Sequence, residues 1–263
     1  MWLASVPDEP ALALSRGAGT ADRVAPRAPK RLRLRCPYNH AMENSRLVVS
    51  FADLTVGQFL DRLASSDAVP GGGSASALAG ALGASLVSMV SALSTGRAKY
   101  AAYEVTLLRC SDAGQDLAAE FVDLADEDAF AYAGYAAALK LPRETDEQQT
   151  ARRAAIRTAA RAASEAPMEC VIACKRLAAA AESLAGRSNV NAASDVLVAA
   201  LLAEAGARGA AENVRINLPA TDDEQYAETV NRKLDSALHE IAAISAETRE
   251  IVLSGQPREP EDE

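Results

Sequence analysis

The acidic run Asp126-Glu127-Asp128 contains a side chain that is well placed for acid–base chemistry. Asp128 follows Leu124 by four residues and Phe121 by seven, so in a helix it shares their apolar face. A carboxylate on such a face loses hydration, which shifts its pKa and suits it to carrying a proton. The competing interpretation is a structural Asp128 that hydrogen bonds or an Arg partner satisfy.

A second polar group precedes and enters a later helical segment and consists of Asn189, Asn191, Ser194 and Asp195. Asn, Ser and Asp are ordinary helix starters, and an Asp in the first turn gains from the helix dipole. The other explanation is a functional cluster in which Asp195 carries a proton. Spacing alone leaves both explanations open.

A glycine turn, Pro70-Gly71-Gly72-Gly73-Ser74, opens another helical segment. Three glycines permit unusual backbone dihedral angles and leave no side chains in the way. Main-chain amides at the start of a helix can then bind an anion or a carbonyl oxygen. No Gly-Lys-Ser/Thr follows, so this is not a phosphate-binding P-loop, and a simple turn before a helix is the alternative.

Amide and basic side chains complete the candidates. Asn213 and Asn217 share one helical face, which suits a heterocycle such as a pterin or, alternatively, hydrogen bonds between helices. Arg97 and Lys99 form one basic group after the glycine turn. A second basic group consists of Arg152, Arg153, Arg157 and Arg161. Either group could receive the carboxylates of an anionic substrate, although the second is more typical of a solvated helix face.

The four cysteines predict neither a disulfide framework nor a metal site, because their spacing is irregular in a chain that is not short. Cys170 and Cys174 share a helical face, but the two histidines, His40 and His239, are far away in sequence. We therefore expect small buried thiols and no metal.

Helical periodicity dominates the middle of the chain. Large apolar residues recur at steps of four, four, three and four from Leu78 to Leu93, and similar patterns follow. We predict a short helix from near Thr55, a helix over the Leu78–Leu93 stripe, and helices over about 100–139, 146–165, 167–186, 192–216 and 223–254. Pro167 divides two of them. No segment alternates convincingly as a strand does, so the predicted fold is all-α, a single-domain bundle of long packed helices.

The two ends of the chain differ from this region. Residues 1–46 carry eight basic and four acidic residues and five prolines, which predicts a disordered basic leader over 1–45. It makes a poor secretory signal, and we expect translation to start at Met42, a transit segment being the alternative. A disordered tail is predicted over 255–263, which leaves the domain at 46–254.

Composition excludes some classes of function. The 263 residues are 49% hydrophobic and carry a net charge of −9, which disfavours binding to nucleic acid or anionic membrane. The uncharged stretch between Asp67 and Arg97 is long enough to span a bilayer. Its proline, glycines and serines instead favour a central helix of a soluble, cytoplasmic protein, in which Gly80, Gly83 and Ala84 permit close helix packing.

Taken in order, these motifs resemble the formiminotetrahydrofolate cyclodeaminase family, which also contains bacterial methenyltetrahydrofolate cyclohydrolases. Over residues 50–225 the matching blocks are Pro70–Ser74, Met89-Val90, Gly96-Arg97, Glu127–Phe130, Leu141-Pro142, Arg153 with Ala155-Ile156, Ala166-Pro167, Asn189-x-Asn191, Ser194-Asp195-x-x-Val198 and Asn213–Leu218. Ser94 stands where the family usually has Thr, and its hydroxyl is kept. The residues before the match are too few to form the glutamate formiminotransferase domain of bifunctional members.

The resemblance implies an all-helical homodimer with one folate cleft lined by these motifs. It implies no metal and no cofactor beyond the tetrahydrofolate substrate, and neither a nucleic-acid nor a membrane partner. The expected reaction is hydrolysis of 5,10-methenyltetrahydrofolate to 10-formyltetrahydrofolate. This reaction is slightly favoured because a chain without a fused transferase need not receive a formimino group by channelling. The alternative is deamination of 5-formiminotetrahydrofolate to the methenyl compound.

The resemblance also implies roles for individual residues. Asp195 first and Asp128 second are the expected proton carriers, and Arg97 and Lys99 would meet the glutamate tail. The residues expected to hold the folate are Gly71, Gly72, Gly73, Ser74, Asn189, Asn191, Asn213 and Asn217. A folate-binding scaffold without catalysis is a second class of function, which the retained aspartates and asparagines oppose. A nucleic-acid-binding module is a third, supported only by the basic leader.

Overall fold

The computed structural model describes residues 50–261, so the leader and the expected start at Met42 lie outside the described range. Six α-helices and no strand are found within it. They are α1 (Val56–Leu63), α2 (Gly72–Ser94), α3 (Glu104–Leu139), α4 (Asp146–Leu184), α5 (Ala193–Asn217) and α6 (Glu224–Ser254), with 3-10 helices at Phe51–Asp53, Ala98–Tyr103, Val190–Ala192 and Leu218–Thr221. The predicted all-α fold is confirmed.

Local sequence sets most helix ends. The N-cap of α4 is Thr145, whose hydroxyl accepts a hydrogen bond from the amide of Gln148 in a capping box. At the other end of α4, Gly186 adopts a positive φ of 73°, which a residue with a side chain rarely takes. Gly255 ends α6 in the same way, with φ 63°. These signals explain why the predicted boundaries at 146 and 254 agree with the structure. The predicted end of α3 at 139 also agrees.

Helices α2 to α6 alternate in direction. α2 packs against α3 and α5, while α4 packs against α3 and α5 and also contacts α6. The pairing of α2 with α5 is antiparallel, because Gly72 lies beside Asn213 and the amide of Asn189 donates to the hydroxyl of Ser94. We call the end with the N-terminus of α2 the glycine end, and the opposite end the tail end, since residues 255–261 pack there.

The small residues of α2 face inward, as the sequence predicts. A Cβ on Gly80 would lie 2.5 Å from the ring of Phe121 on α3, and one on Gly83 would lie 3.1 Å from the backbone oxygen of Ala199 on α5. Such spacing requires glycine and lets the helices approach closely. The large apolar stripe occupies the other side, where Leu82 is 63% exposed. The stripe identified in the sequence is therefore the open face of the helix, and the small residues make the core.

The predicted division at Pro167 is wrong, because α4 continues through it. Proline has no amide hydrogen to give to the carbonyl four residues earlier, which here belongs to Ala163. That oxygen instead accepts a hydrogen bond from Nδ2 of Asn217, at 2.8 Å. A side chain from α5 therefore replaces the missing backbone donor, and no sequence pattern within α4 could have indicated it.

The tail also differs from the expectation of disorder for residues 255–261. Tyr103 donates its hydroxyl hydrogen to the carbonyl of Arg258 at 2.8 Å, and the amide of Arg258 donates to the carbonyl of Gly186. Arg187, a buried side chain, donates through Nε to the carbonyl of Glu259 at 2.7 Å. The tail lacks regular structure yet is held by hydrogen bonds to the ends of neighbouring helices, which its polar composition does not reveal.

Two helical segments have the length and composition of membrane spans, Gly72–Ser94 and Val190–Thr221. Their most apolar windows are 50% and 39% buried inside the bundle. Each packs one side against neighbouring helices through small residues, as core helices do. Membrane spanning is not needed to explain them.

Candidate functional site

The glycine end brings together residues from α2, α3 and α5. Asp128 projects from α3 onto the first turn of α2, where a Cβ on Gly73 would lie 2.3 Å from its Oδ1. Ser74 donates its hydroxyl hydrogen towards Oδ2 of Asp128 at 3.2 Å. The absence of a side chain at Gly73 is therefore what lets this carboxylate approach the helix start so closely. The prediction that Asp128 lies on the inner face of α3 is confirmed.

Burial raises the pKa of the Asp128 carboxyl above its ordinary value, and the hydrogen bonds from the hydroxyl and amide of Ser74 partly oppose this rise. A carboxylate with a raised pKa accepts and returns a proton nearer to neutral pH than a solvated one. Asp126 differs from it, because it accepts hydrogen bonds from the hydroxyl of Ser50 and, at 2.8 Å, from the amide of Phe51. Partial burial and the neighbouring carboxylates also raise the pKa of Glu127, but its side chain is exposed.

The helix start was expected to offer its amides to a substrate. In the structure the carboxylate of Asp128 lies there, and Gly71 at the N-cap has no side-chain cap of its own. Asp128 thus caps α2 from another helix, with its negative charge at the positive end of the helix dipole. A ligand at this end would meet the Asp128 carboxylate together with the amides, so the site suits a cationic or proton-donating group better than a bare anion.

The two asparagines of α5 lie at the same end, but their side-chain amides donate hydrogen bonds to backbone carbonyls of the protein. Asn213 donates from Nδ2 to the carbonyl of Gly209 at 2.8 Å and stands 3.5 Å from the position of a Cβ on Gly72. Asn217 donates to Ala163, as described above. Within residues 50–261 neither Oδ1 accepts a hydrogen bond, so each can still accept one from a ligand. The interhelical role that the sequence left open applies to Asn217.

The remaining candidates lie at the tail end. Asn189 accepts a hydrogen bond at Oδ1 from the amide of Asn191 at 3.1 Å, which is ordinary capping of a 3-10 helix. Asp195 lies in the first turn of α5 and is half-buried. Lys99 places Nζ 5.4 Å from the ring centre of Tyr100. Arg97 and Lys99 are exposed, and neither forms an ion pair with any residue of the described chain.

A concave pocket of about 260 Å³ also lies at the tail end. Lys99 and Asn189 line it together with residues that the sequence did not single out, among them Tyr103, Ser188, Ile251 and Gln256. The missed residues come from the 3-10 helix Ala98–Tyr103, from the connection after α4, from the end of α6 and from the tail. These segments are far apart in sequence, so no local motif could have shown them.

The predicted site residues therefore form two clusters in one chain. The glycine-end cluster is Gly71, Gly72, Gly73, Ser74, Asp128, Asn213 and Asn217, and the tail-end cluster is Arg97, Lys99, Asn189, Asn191 and Asp195. The 23 residues of α2 separate the clusters by about 33 Å at 1.5 Å per residue. A single cleft lined by all these motifs, as the resemblance implies, does not form within one copy of the chain.

The arginines of α4 are mostly engaged. Arg161 pairs with Asp223 and lies 4.5 Å from the ring centre of Tyr226, and Arg157 pairs with Asp222 at 3.4 Å. Cys110, Cys170 and Cys174 are buried free thiols. Among the described residues no group of three or more His, Cys, Asp or Glu side chains is placed to hold a metal ion.

Comparisons with known proteins bear on what these clusters do. A family model described as formiminotransferase-cyclodeaminase matches residues 55–236. The chain belongs to this family. The match includes both clusters and stops within α6, before the tail. Family membership thus extends to the helices that carry Asp128 and Asp195.

Individual members of the family resemble the chain to different extents. The methenyltetrahydrofolate cyclohydrolase of Methylorubrum extorquens is 38% identical over 76% of this chain and 96% of that protein. The formimidoyltransferase-cyclodeaminase of Rattus norvegicus is 32% identical over 73% of this chain, which spans only 35% of the rat protein. The crystal structure of the formiminotetrahydrofolate cyclodeaminase of Thermotoga maritima superposes with a TM-score of 0.71 and 26% identity, covering 77% of this chain and 98% of that one.

Proposed function

We propose that the chain is a folate one-carbon enzyme that hydrolyses 5,10-methenyltetrahydrofolate to 10-formyltetrahydrofolate. The observation that carries the chemistry is the half-buried Asp128 carboxylate with a raised pKa, held by Ser74 at the glycine-rich start of α2. The similarity to the Methylorubrum cyclohydrolase supports this reaction, since it extends over 96% of that protein.

The hydrolysis needs proton transfers around one carbon. Water attacks the cationic methenyl carbon between the two nitrogens, losing a proton as the carbon–oxygen bond forms. The hydroxyl now on that carbon loses its proton to become the formyl carbonyl as the bond from the carbon to N5 breaks. The electron pair of that bond stays on N5, which takes up a proton, so that one proton is released overall. Asp128 accepts the proton of water and returns one to N5. Its negative charge also stabilises the cationic substrate. This role fits a helix start that is occupied by a carboxylate and is not free to bind an anion.

Binding contributions follow from the geometry of the glycine end. The free Oδ1 of Asn213 accepts a hydrogen bond from the pterin ring, and Asn217 orients that end of α5 through Ala163. No cofactor beyond the folate substrate is part of the proposal. We further propose that the protein works as a cytoplasmic homodimer.

The test follows the absorbance of 5,10-methenyltetrahydrofolate with wild-type protein, Asp128→Asn and Asp123→Asn. Asp123 is an exposed carboxylate on the same helix and serves as the matched control. We expect Asp128→Asn to lower kcat by about 100-fold or more, the scale of general acid–base catalysis, while folate still binds. Asp123→Asn should act as wild type. Near-normal turnover by Asp128→Asn would remove that carboxylate from the mechanism.

The second candidate function is the deamination of 5-formiminotetrahydrofolate, favoured by the structural similarity to the Thermotoga cyclodeaminase. In that reaction N10 attacks the formimino carbon, a tetrahedral intermediate forms, and ammonia leaves. A carboxylate can again assist by transferring a proton between the nitrogens. A parallel assay starts from 5-formiminotetrahydrofolate. Enzyme-dependent appearance of the methenyl band would assign this reaction, and its absence beside active hydrolysis would exclude it.

A further inference from the structure

The start of α2 forms a step at the glycine end of the bundle. Gly73, in the first turn of α2, lies against Asp128 of α3, yet α3 continues from there to Leu139. The residues of α3 after Asp128 add a length of about 16 Å at 1.5 Å per residue. This last part of α3 therefore extends beyond the start of α2, and its side chains border the space in front of the helix start.

Two tyrosines continue the face of α3 on which Asp128 lies. Tyr132 and Tyr135 follow it by four and seven residues, which places them within about 40° and about 20° of its direction around the helix axis. Tyr132 lies about 6 Å further along that axis. Its side chain is 44% exposed, and Tyr135 is half-buried. An accessible aromatic ring thus lies next to the candidate proton carrier, on the side away from α2.

The other borders of the space come from α4 and α5. Asn213 of α5 lies beside Gly72, and Asn217 donates its hydrogen bond to the carbonyl of Ala163 on α4. Because α4 packs against both α3 and α5, it lies behind the gap between them. Gly72 is exposed and both asparagines are half-buried, so a ligand can reach these groups. The step is therefore a slot with Tyr132 on one wall and the end of α5 on the other.

The chemistry of the slot suits a flat, positively charged heterocycle. In the proposed hydrolysis Asp128 must come within hydrogen-bond reach of the methenyl carbon's surroundings, and that carbon is bonded to N5 at the edge of the pterin. Since Gly73 packs against the carboxylate on one side, the pterin extends on the other side, along α3. Aromatic rings attract a flat heterocycle by stacking, and the electron-rich face of a tyrosine also attracts a positive charge.

We propose that Tyr132 is the wall of the folate site on which the pterin ring stacks, and that this contact places the methenyl carbon at Asp128. The inference rests on the proposed function and adds a binding residue to it. Phe130 is the other exposed aromatic residue nearby, at 42% exposure, but it is turned about 160° away from Asp128 around the helix. It therefore faces away from the slot and provides a matched control.

Steady-state kinetics with 5,10-methenyltetrahydrofolate tests the stack in wild-type protein, Tyr132→Ala, Tyr132→Phe and Phe130→Ala. Tyr132→Ala should raise KM by about 10-fold or more, the scale on which alanine substitution removes stacking between a base and an aromatic side chain. The change in kcat should be much smaller, because the proton carrier is untouched. Tyr132→Phe keeps the ring and should recover most of the lost affinity, and Phe130→Ala should act as wild type.

The stack also has a spectroscopic signature in the Asp128→Asn background, which should bind 5,10-methenyltetrahydrofolate without converting it. Stacking on the Tyr132 ring should weaken the absorption band of the bound compound and shift it to longer wavelength, because the transition dipoles of stacked rings couple. Adding Tyr132→Ala should remove this change at saturating ligand, whereas adding Phe130→Ala should keep it. Thermal unfolding of each variant checks that the exposed substitutions leave the fold intact.

Each result supports or overturns a stated part. Equal KM values for Tyr132→Ala and Phe130→Ala would overturn the stack while hydrolysis stands, and so would a band that Tyr132→Ala leaves unchanged. A Tyr132→Phe variant as weak as Tyr132→Ala would also overturn it, since the hydroxyl and not the ring would then matter. Normal turnover by Asp128→Asn would instead refute the proposed mechanism, and the KM comparison would still decide the role of Tyr132.

Discussion

Replacing Asn217 with alanine tests the hydrogen bond that lets α4 pass through Pro167. In the wild type Nδ2 of Asn217 satisfies the carbonyl of Ala163, which is buried and has no backbone donor because residue 167 is proline. Leaving such an acceptor unpaired costs about 1–3 kcal/mol, and the half-buried position of Asn217 places the expected loss near 2 kcal/mol. For a domain of this size that corresponds to a fall in Tm of about 4–8 °C.

Pro167→Ala supplies the matched background. The alanine introduced there has an amide hydrogen that can reach the carbonyl of Ala163, so Asn217→Ala should cost much less than in the wild type. The coupling free energy between the two substitutions should therefore be about 1–2 kcal/mol, well above the deviation from additivity that independent sites show. Urea unfolding of all four proteins, followed by circular dichroism, measures it.

Two outcomes would refute this reasoning. An equal cost of Asn217→Ala in both backgrounds would mean that the hydrogen bond does not replace the one that proline removes. No loss of stability in either background, with a raised KM for folate, would mean that Asn217 serves the substrate rather than the fold. Because KM and the free energy of unfolding are measured separately, the two roles can be separated.

Three further predictions concern the site and the tail. Ser74→Ala removes a hydrogen bond that lowers the pKa of Asp128, so that pKa should rise. The acidic limb of the pH profile of kcat/KM should therefore move to higher pH. If that limb stays at the same pH, Asp128 is not the titrating group. Gly73→Ala places a Cβ 2.3 Å from the Asp128 carboxylate and should lower kcat by about 10-fold or more. A Cβ on Gly134 would meet open space, so Gly134→Ala should leave kcat unchanged. Equal kcat values for the two variants would refute the close approach of Asp128 to Gly73. Arg187→Ala removes charge-assisted hydrogen bonds to the tail, each worth about 1.5–3 kcal/mol, so it should lower Tm by about 5 °C and speed proteolysis after Gly255. Arg109 also pairs with the tail, but its side chain is 59% exposed, so Arg109→Ala should have much smaller effects. Equal effects of the two substitutions would show that Arg187 is not the residue that holds the tail.

Much of the fold follows from local sequence, because helix periods and caps are local properties. The capping box at Thr145 and the glycine at Gly186 fix the ends of α4, and the spacing of Phe121, Leu124 and Asp128 places that carboxylate on the inner face of α3. The error at Pro167 has the opposite origin. Its compensating donor, Asn217, lies 54 residues from the carbonyl that it satisfies, beyond the reach of any local rule.

The candidate site was only partly predictable for a similar reason. Motif order provided candidate residues but not their grouping, since a sequence does not state which ends of antiparallel helices coincide. The tertiary structure decided that α2, about 33 Å long, separates Asp128 from Arg97 and Lys99. It also decided that the apolar strip of α2 faces outward, because Gly80 and Gly83 admit the neighbouring helices on the other side. Residue types and periods thus determined the helices and the chemistry available, whereas long-range packing determined which groups meet.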